Sequence, residues 1–185
     1  MKDDELIPAC YRKAVLVLGC GNVLFGDDGF GPRVVEQLQS RPGLPKDAEA
    51  LDVGTGVREV LFTILLAEKK PRLIMIVDCA EQGAPPGTLR EVPLEGIPAP
   101  KRTDFSLHQV PTSNLLRELR DECGVAVIIL AVQPECIPKA VSPGLSPSVA
   151  NALQPACQII GEIVSQRVNS LLEGTCDDNR EPALE

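Results

Sequence analysis

Residues 73–78 read Leu-Ile-Met-Ile-Val-Asp, five apolar side chains in a row and then a carboxylate. A run this short and unbroken, without the alternation of a half-wet strand, reads as a strand buried on both faces. Pro71 stops the segment before it, and Asp78 stands where the strand leaves the core. The pattern recurs on either side. Ala14 to Leu18 (AVLVL) is a second buried strand, ended by Gly19, and Val125 to Val132 (VAVIILAV) is a third. Ala50 to Val53 is a weaker candidate, ended by Gly54-Thr55-Gly56. Thr88 to Val92 lies in a stretch rich in Pro and Gly, from Glu81 to Pro100, and suits an edge strand.

Helical spacing fills the intervals. Gly29 to Gln39 carries Val34, Val35 and Leu38 on one stripe, and Val57 to Glu68 carries Val60, Leu61, Ile64 and Leu65. Thr112 to Cys123 is a helix capped by Thr112 or Ser113, with Leu115, Leu116 and Leu119 inside it. Ser146 to Leu172 reads as one long helix, with Ser146 as its cap and Pro147 in its first position. Apolar strands alternating with helices define an α/β domain with a mainly parallel sheet. No internal repeat and no second core is visible, so residues 1–185 are expected to form one domain, its core at about 14–172. The polar residues 173–185 are expected to be a disordered tail.

Composition narrows the chemistry. The chain has 185 residues, 44% hydrophobic and 24% charged, enough to bury a sizeable core. Its net charge of -8 argues against a nucleic-acid partner, which needs a basic face. No segment offers the ~18 uninterrupted apolar residues of a spanning helix. Seven cysteines form an odd set with no CxxC pair, which argues against a disulfide framework or a zinc knuckle. A reduced, cytoplasmic protein is the expectation. With one His in the chain, any imidazole chemistry belongs to His108.

In sheets of this kind ligands gather beyond the carboxyl ends of the strands. There the sequence supplies Gly19-Cys20-Gly21-Asn22, the pair Asp27-Asp28, Asp78, the loop bearing His108, and Gln133-Pro134-Glu135. Gly19-x-Gly21 invites a nucleotide-binding reading, but the third glycine of that fingerprint is replaced by Leu24, and two carboxylates occupy the pyrophosphate position. Of Asp27 and Asp28, either one caps the helix while the other points into a site. Two carboxylates and a neutral imidazole meeting above one sheet edge would make a three-ligand metal site with open positions, suited to nickel, zinc or iron.

The whole order of landmarks resembles the hydrogenase maturation proteases. The opening signature is Gly19-Cys20-Gly21-Asn22-Val23-Leu24-Phe25-Gly26-Asp27-Asp28-Gly29-Phe30-Gly31. It is followed by Asp52-Val53-Gly54-Thr55-Gly56, the strand ending at Asp78, Ser106-Leu107-His108-Gln109, Val132-Gln133-Pro134-Glu135 and Leu145-Ser146-Pro147. The resemblance implies a three-layer α/β/α domain with a mainly parallel twisted sheet of about five strands. It also implies an endopeptidase, often classed as aspartic-type, that trims the C-terminal extension from the large-subunit precursor of a nickel–iron hydrogenase after nickel insertion. Nickel, supplied by or shared with the precursor, or another divalent metal in its place, would be bound by Asp28, Asp78 and His108. The position of Asp28 is often Glu in the family. Catalysis would fall to Asp28, Asp78 and His108, with Asp27 as a further candidate base. His108-Gln109-Val110-Pro111-Thr112 and Asn114-Leu115-Leu116 resemble the enzymes serving deazaflavin-reducing hydrogenases of methanogenic archaea. The competing readings are a nickel-binding escort without proteolysis and a nucleotide-binding module. The expected partner is the precursor, without nucleic acid or membrane, and the chain is expected to be a monomer.

Overall fold

The computed structural model describes residues 8–40, 43–96 and 112–173. Five strands form one sheet: β1 (Val15–Cys20), β2 (Ala48–Gly54), β3 (Leu73–Cys79), β4 (Leu89–Glu91) and β5 (Ala126–Val132). Their spatial order is β2-β1-β3-β5-β4. β1 pairs in parallel with β2 and β3, and β3 pairs in parallel with β5. Only the short β4 runs antiparallel, at the edge, where the Pro- and Gly-rich stretch places it.

Helices cover both faces. On one lie α1 (Phe30–Ser40) and α5 (Leu153–Glu173), which pack Phe30, Val34, Val35, Ile160 and Val164 against Val15, Val17, Leu73, Met75 and Val77. On the other lie α2 (Val57–Leu66) and α3 (Thr112–Asp121), which pack Leu61, Ile64, Leu116 and Leu119 against Leu16, Leu18, Ile74 and Ile76. Successive residues of β1 and β3 therefore feed opposite cores, and all six residues of β1 are buried. This double coverage is why these strands carry no polar alternation in the sequence. Burying a side chain such as Phe30 completely contributes about 2–3 kcal/mol.

Two expectations are corrected. The long final helix is two: α4 (Pro147–Ala150) and then α5, separated by Asn151 and Ala152. Pro155 is the cause, because it has no N–H to offer the carbonyl of Asn151 and its ring crowds that carbonyl. The cap itself is as expected, with the Ser146 hydroxyl accepting from the Val149 N–H at 3.4 Å and Pro147 in the first turn. The helix α3 (Thr112–Asp121) already includes both Thr112 and Ser113, so neither of them caps it. The Ser113 hydroxyl is buried and has no hydrogen-bond partner among the described residues. The tail from 174 onward lies outside the described residues. Among the described residues, no helix is long and apolar enough to cross a membrane.

Candidate active site at the carboxyl edge of the sheet

Strand order fixes where a site can form. β2 lies on one side of β1 and β3 on the other, so the chains leaving β1 and β3 diverge and open a crevice at their carboxyl ends. Asp78 is the next-to-last residue of β3, and Asp28 sits in the single 3-10 turn, Gly26–Gly29, between β1 and α1. Both flank that crevice.

The glycines of the opening signature bring these parts together. A Cβ on Gly31 would lie 2.3 Å from the Cys20 carbonyl oxygen and 2.4 Å from that of Val77. The N-terminal turn of α1 thus rests directly on the ends of β1 and β3. Gly19 faces it, and a Cβ there would meet the Gly31 oxygen at 2.5 Å. Gly21 adopts φ +119°, and a Cβ there would strike the Asp28 carbonyl oxygen at 1.9 Å. These glycines serve backbone-to-backbone packing, which leaves a nucleotide reading without its phosphate cradle.

The two adjacent aspartates have different surroundings. Asp27 is fully buried. Its Oδ2 accepts from the N–H groups of Glu135 (2.9 Å) and Cys136 (3.0 Å) and from the Ser146 hydroxyl (3.0 Å), and its Oδ1 accepts from the Ser146 N–H (2.7 Å). Burial opposes its charge, but the three N–H donors and the hydroxyl outweigh that and hold the carboxyl below the usual carboxylate range. A carboxylate so filled is a clamp on the segment that follows β5, and it has no lone pair directed at a substrate. Asp28 is half-buried, and its Oδ2 accepts one hydrogen bond, from the Asn22 N–H at 2.8 Å.

Asp78 is half-buried and accepts from its neighbour, the Cys79 N–H, at 2.7 Å. Burial raises its pKa to about 6, the Cys79 N–H opposes the rise, and the nearby charge of Asp28 adds to it. A half-buried carboxylate whose charge is disfavoured by burial and by a second carboxylate nearby is an arrangement that a cation relieves. Cys20 and Cys79 flank the same place from opposite cores. Burial, followed by the charge of Asp78, pushes both thiols up, Cys79 to about 12, so both remain protonated fillers. His108 lies outside the described residues. Among the described residues no three His, Cys, Asp or Glu side chains are grouped to hold a metal ion.

Gln133, the first residue after β5, was quoted from the sequence but given no role there. It is buried at 4% exposure, and its side-chain amide is saturated. The Oε1 accepts from the N–H groups of Gln82 (2.7 Å) and Ala84 (3.2 Å), and the Nε2 donates to Glu81 Oε1 (2.9 Å) and the Pro134 carbonyl (3.2 Å). A polar residue closing an eight-residue apolar run was the available signal.

A doubly covered, mainly parallel sheet with two aspartates at the carboxyl ends of its central strands, packed through a glycine-lined turn, defines an α/β domain of the three-layer class. The family model for hydrogenase maturation proteases matches residues 32–163, and the chain belongs to that family. It is 37% identical over 158 residues to the coenzyme F420 hydrogenase subunit delta of Methanothermobacter thermautotrophicus, covering 81% of this chain and 94% of the relative. It is 32% identical over 146 residues to the hydrogenase 2 maturation protease of Escherichia coli, covering 78% and 86%. Among solved structures it is similar to the hydrogenase maturating endopeptidase HybD of E. coli. There the TM-score is 0.65 at 30% identity, covering 83% of this chain and 93% of that one.

Proposed function

We propose that this peptidase removes the C-terminal extension of the large-subunit precursor of a nickel–iron hydrogenase once nickel has been inserted. In this reading it recognises the substrate's nickel through Asp28, Asp78 and His108. The observation that carries the reading is the pair Asp28 and Asp78 at the mouth of the crevice, where burial, and to a lesser degree the charge of Asp28, raises Asp78. Such a pair is costly alone and is satisfied by a cation that the correct substrate brings with it. Discrimination then follows from chemistry: a precursor without metal offers nothing to offset the repulsion and does not seat its scissile peptide. Carboxylate oxygens and an imidazole nitrogen are a donor set suited to a divalent first-row metal with positions left open.

Held by Asp28, Asp78 and His108, the metal would supply Lewis acidity. The chain's own contribution is positional. Asn22 orients Asp28 through its N–H, the Cys79 N–H orients Asp78, and Asp27 fixes the loop that closes the crevice from the β5 side. An aspartic-type mechanism, in which Asp28 and Asp78 share one proton with no metal between them, is the alternative that cleavage of a metal-free precursor would favour. The similarity to the F420 hydrogenase subunit of a methanogen supports a hydrogenase of that deazaflavin-reducing kind as the substrate. A cytoplasmic site of action follows from that substrate.

The test is a mass measurement. Incubation with a nickel-loaded precursor should shorten it by one C-terminal segment, and a metal-free precursor should stay intact. Asp28→Asn, Asp78→Asn and His108→Ala should each reduce the rate by about a hundredfold or more while the proteins stay folded. Capture of nickel without any loss of mass would make the chain an escort instead.

A further inference from the structure

Asp28 lies in the turn after β1 and Asp78 at the end of β3, and something must set one against the other. Asp78 is followed by Cys79, Ala80 and an excursion to Thr88 before β4 begins. That excursion is wrapped around a single residue. Besides the four side-chain bonds of Gln133, its backbone N–H donates to the Thr88 carbonyl (2.9 Å) and its carbonyl accepts from the Gly87 N–H (2.9 Å). Just before it, the Val132 carbonyl accepts from the Ala80 N–H at 3.0 Å. Two and three residues further on, the N–H groups of Glu135 and Cys136 hold Asp27, the neighbour of Asp28. Residues 133–136 therefore grip the exit of β3 with one end and the turn after β1 with the other. Pro134, which has no N–H, falls where none is needed.

The amide of Gln133 has a direction. Its oxygen must face the two N–H groups and its nitrogen must face Glu81, an exposed residue whose Oε1 also accepts from the Gly83 N–H at 3.1 Å. Glu81 reinforces the orientation that the N–H groups of Gln82 and Ala84 and the Pro134 carbonyl also demand, one that no apolar or symmetric side chain could satisfy. We propose that Gln133 is a positioning residue of this site. Its one amide, oriented in part by Glu81, ties the chain leaving β3 to the chain leaving β5 and so fixes Asp78 against Asp28. The proposal rests on the reading of the site given above.

Gln133→Glu keeps an acceptor for Gln82 and Ala84 but replaces the donor to Glu81 by a second negative charge. Cleavage of a nickel-loaded precursor should slow by about ten- to a hundredfold, as a displaced reacting group does. In the free protein, amide hydrogen exchange over residues 79–84 should accelerate while exchange in β1 and α1 stays unchanged. Adding Glu81→Gln reverses the polarity of the pair, since the new amide can donate to the new carboxylate, and should restore both readouts. A Gln133→Glu variant that cleaves at the wild-type rate overturns the proposal. So does a double variant that regains slow exchange but not cleavage, since Gln133 would then act by touching the substrate. If Gln133→Glu does not fold, Glu81→Ala removes the orienting acceptor from an exposed position. Wild-type cleavage and exchange in Glu81→Ala would likewise overturn the proposal. The exchange measurement needs no substrate. A wild-type chain that cleaves nothing, while Gln133→Glu accelerates exchange over residues 79–84, would sink the proteolytic reading and not the grip of Gln133 on the loop.

Discussion

The carboxylate of Asp27 takes four hydrogen bonds from residues 108 to 119 positions away, whereas that of Asp28 takes one, from Asn22. Spacing alone found both residues and left open which of them faces the crevice, whereas the family resemblance named Asp28. Adjacent acids at a helix start look alike until the distant donors are known, and Glu135, Cys136 and Ser146 announce nothing in their spacing. Asp27→Asn should therefore cost about 3 kcal/mol in urea unfolding, because an amide cannot accept from every donor now aimed at the carboxylate. The pH dependence has a definite sign. With a native pKa held below its usual 3.8, the contribution of Asp27 is complete above about pH 4 and disappears as pH falls through the lowered value. The stability gap between wild type and Asp27→Asn should be widest near neutrality and close on acidification.

Helix α1 enters the molecule through contacts that tolerate no side chain, and helix α5 does not. A Cβ on Gly31 would collide with backbone oxygens of Cys20 and Val77, whereas nothing lies within 4 Å of one on Gly161. Gly31→Ala should pry α1 off the strand ends and leave little soluble protein. Gly161→Ala, at an open position inside α5, should stabilise by about 0.5–1 kcal/mol, read as a rise in the unfolding midpoint. At this scale the sequence was most legible where packing is two-sided. The runs at 14–18, 73–77 and 125–132 predict β1, β3 and β5 because both faces of those strands meet helices. It was less legible where one proline overrides a favourable stripe. Pro155 breaks the last helix although Val149, Ala156 and Ile160 all feed one core. The role of Gln133 was unreadable because its partners lie about fifty residues away.

For the molecule as a whole, the crevice is a place where stability has been given up. Asp78, raised to about 6 by burial and by Asp28, makes the metal-free protein lose stability as pH rises from about 4 to about 6. Over that range the unfolded chain gives up its proton first. Asp78→Asn should remove this dependence and stabilise the metal-free protein at pH 7.5 by roughly 1–3 kcal/mol. The same change should abolish cleavage, and thermal unfolding beside the mass assay separates the two effects. The clamp on Asp27 also bears on biosynthesis. Its donors at 135, 136 and 146 leave the ribosome more than a hundred residues after the carboxylate they satisfy. A nascent chain that has made β1, β2 and β3 still carries an unpaired charge at the centre of its future crevice. A chain cut short before residue 135 would therefore lack the donors that hold Asp27, and with them the tie between the turn after β1 and the segment after β5.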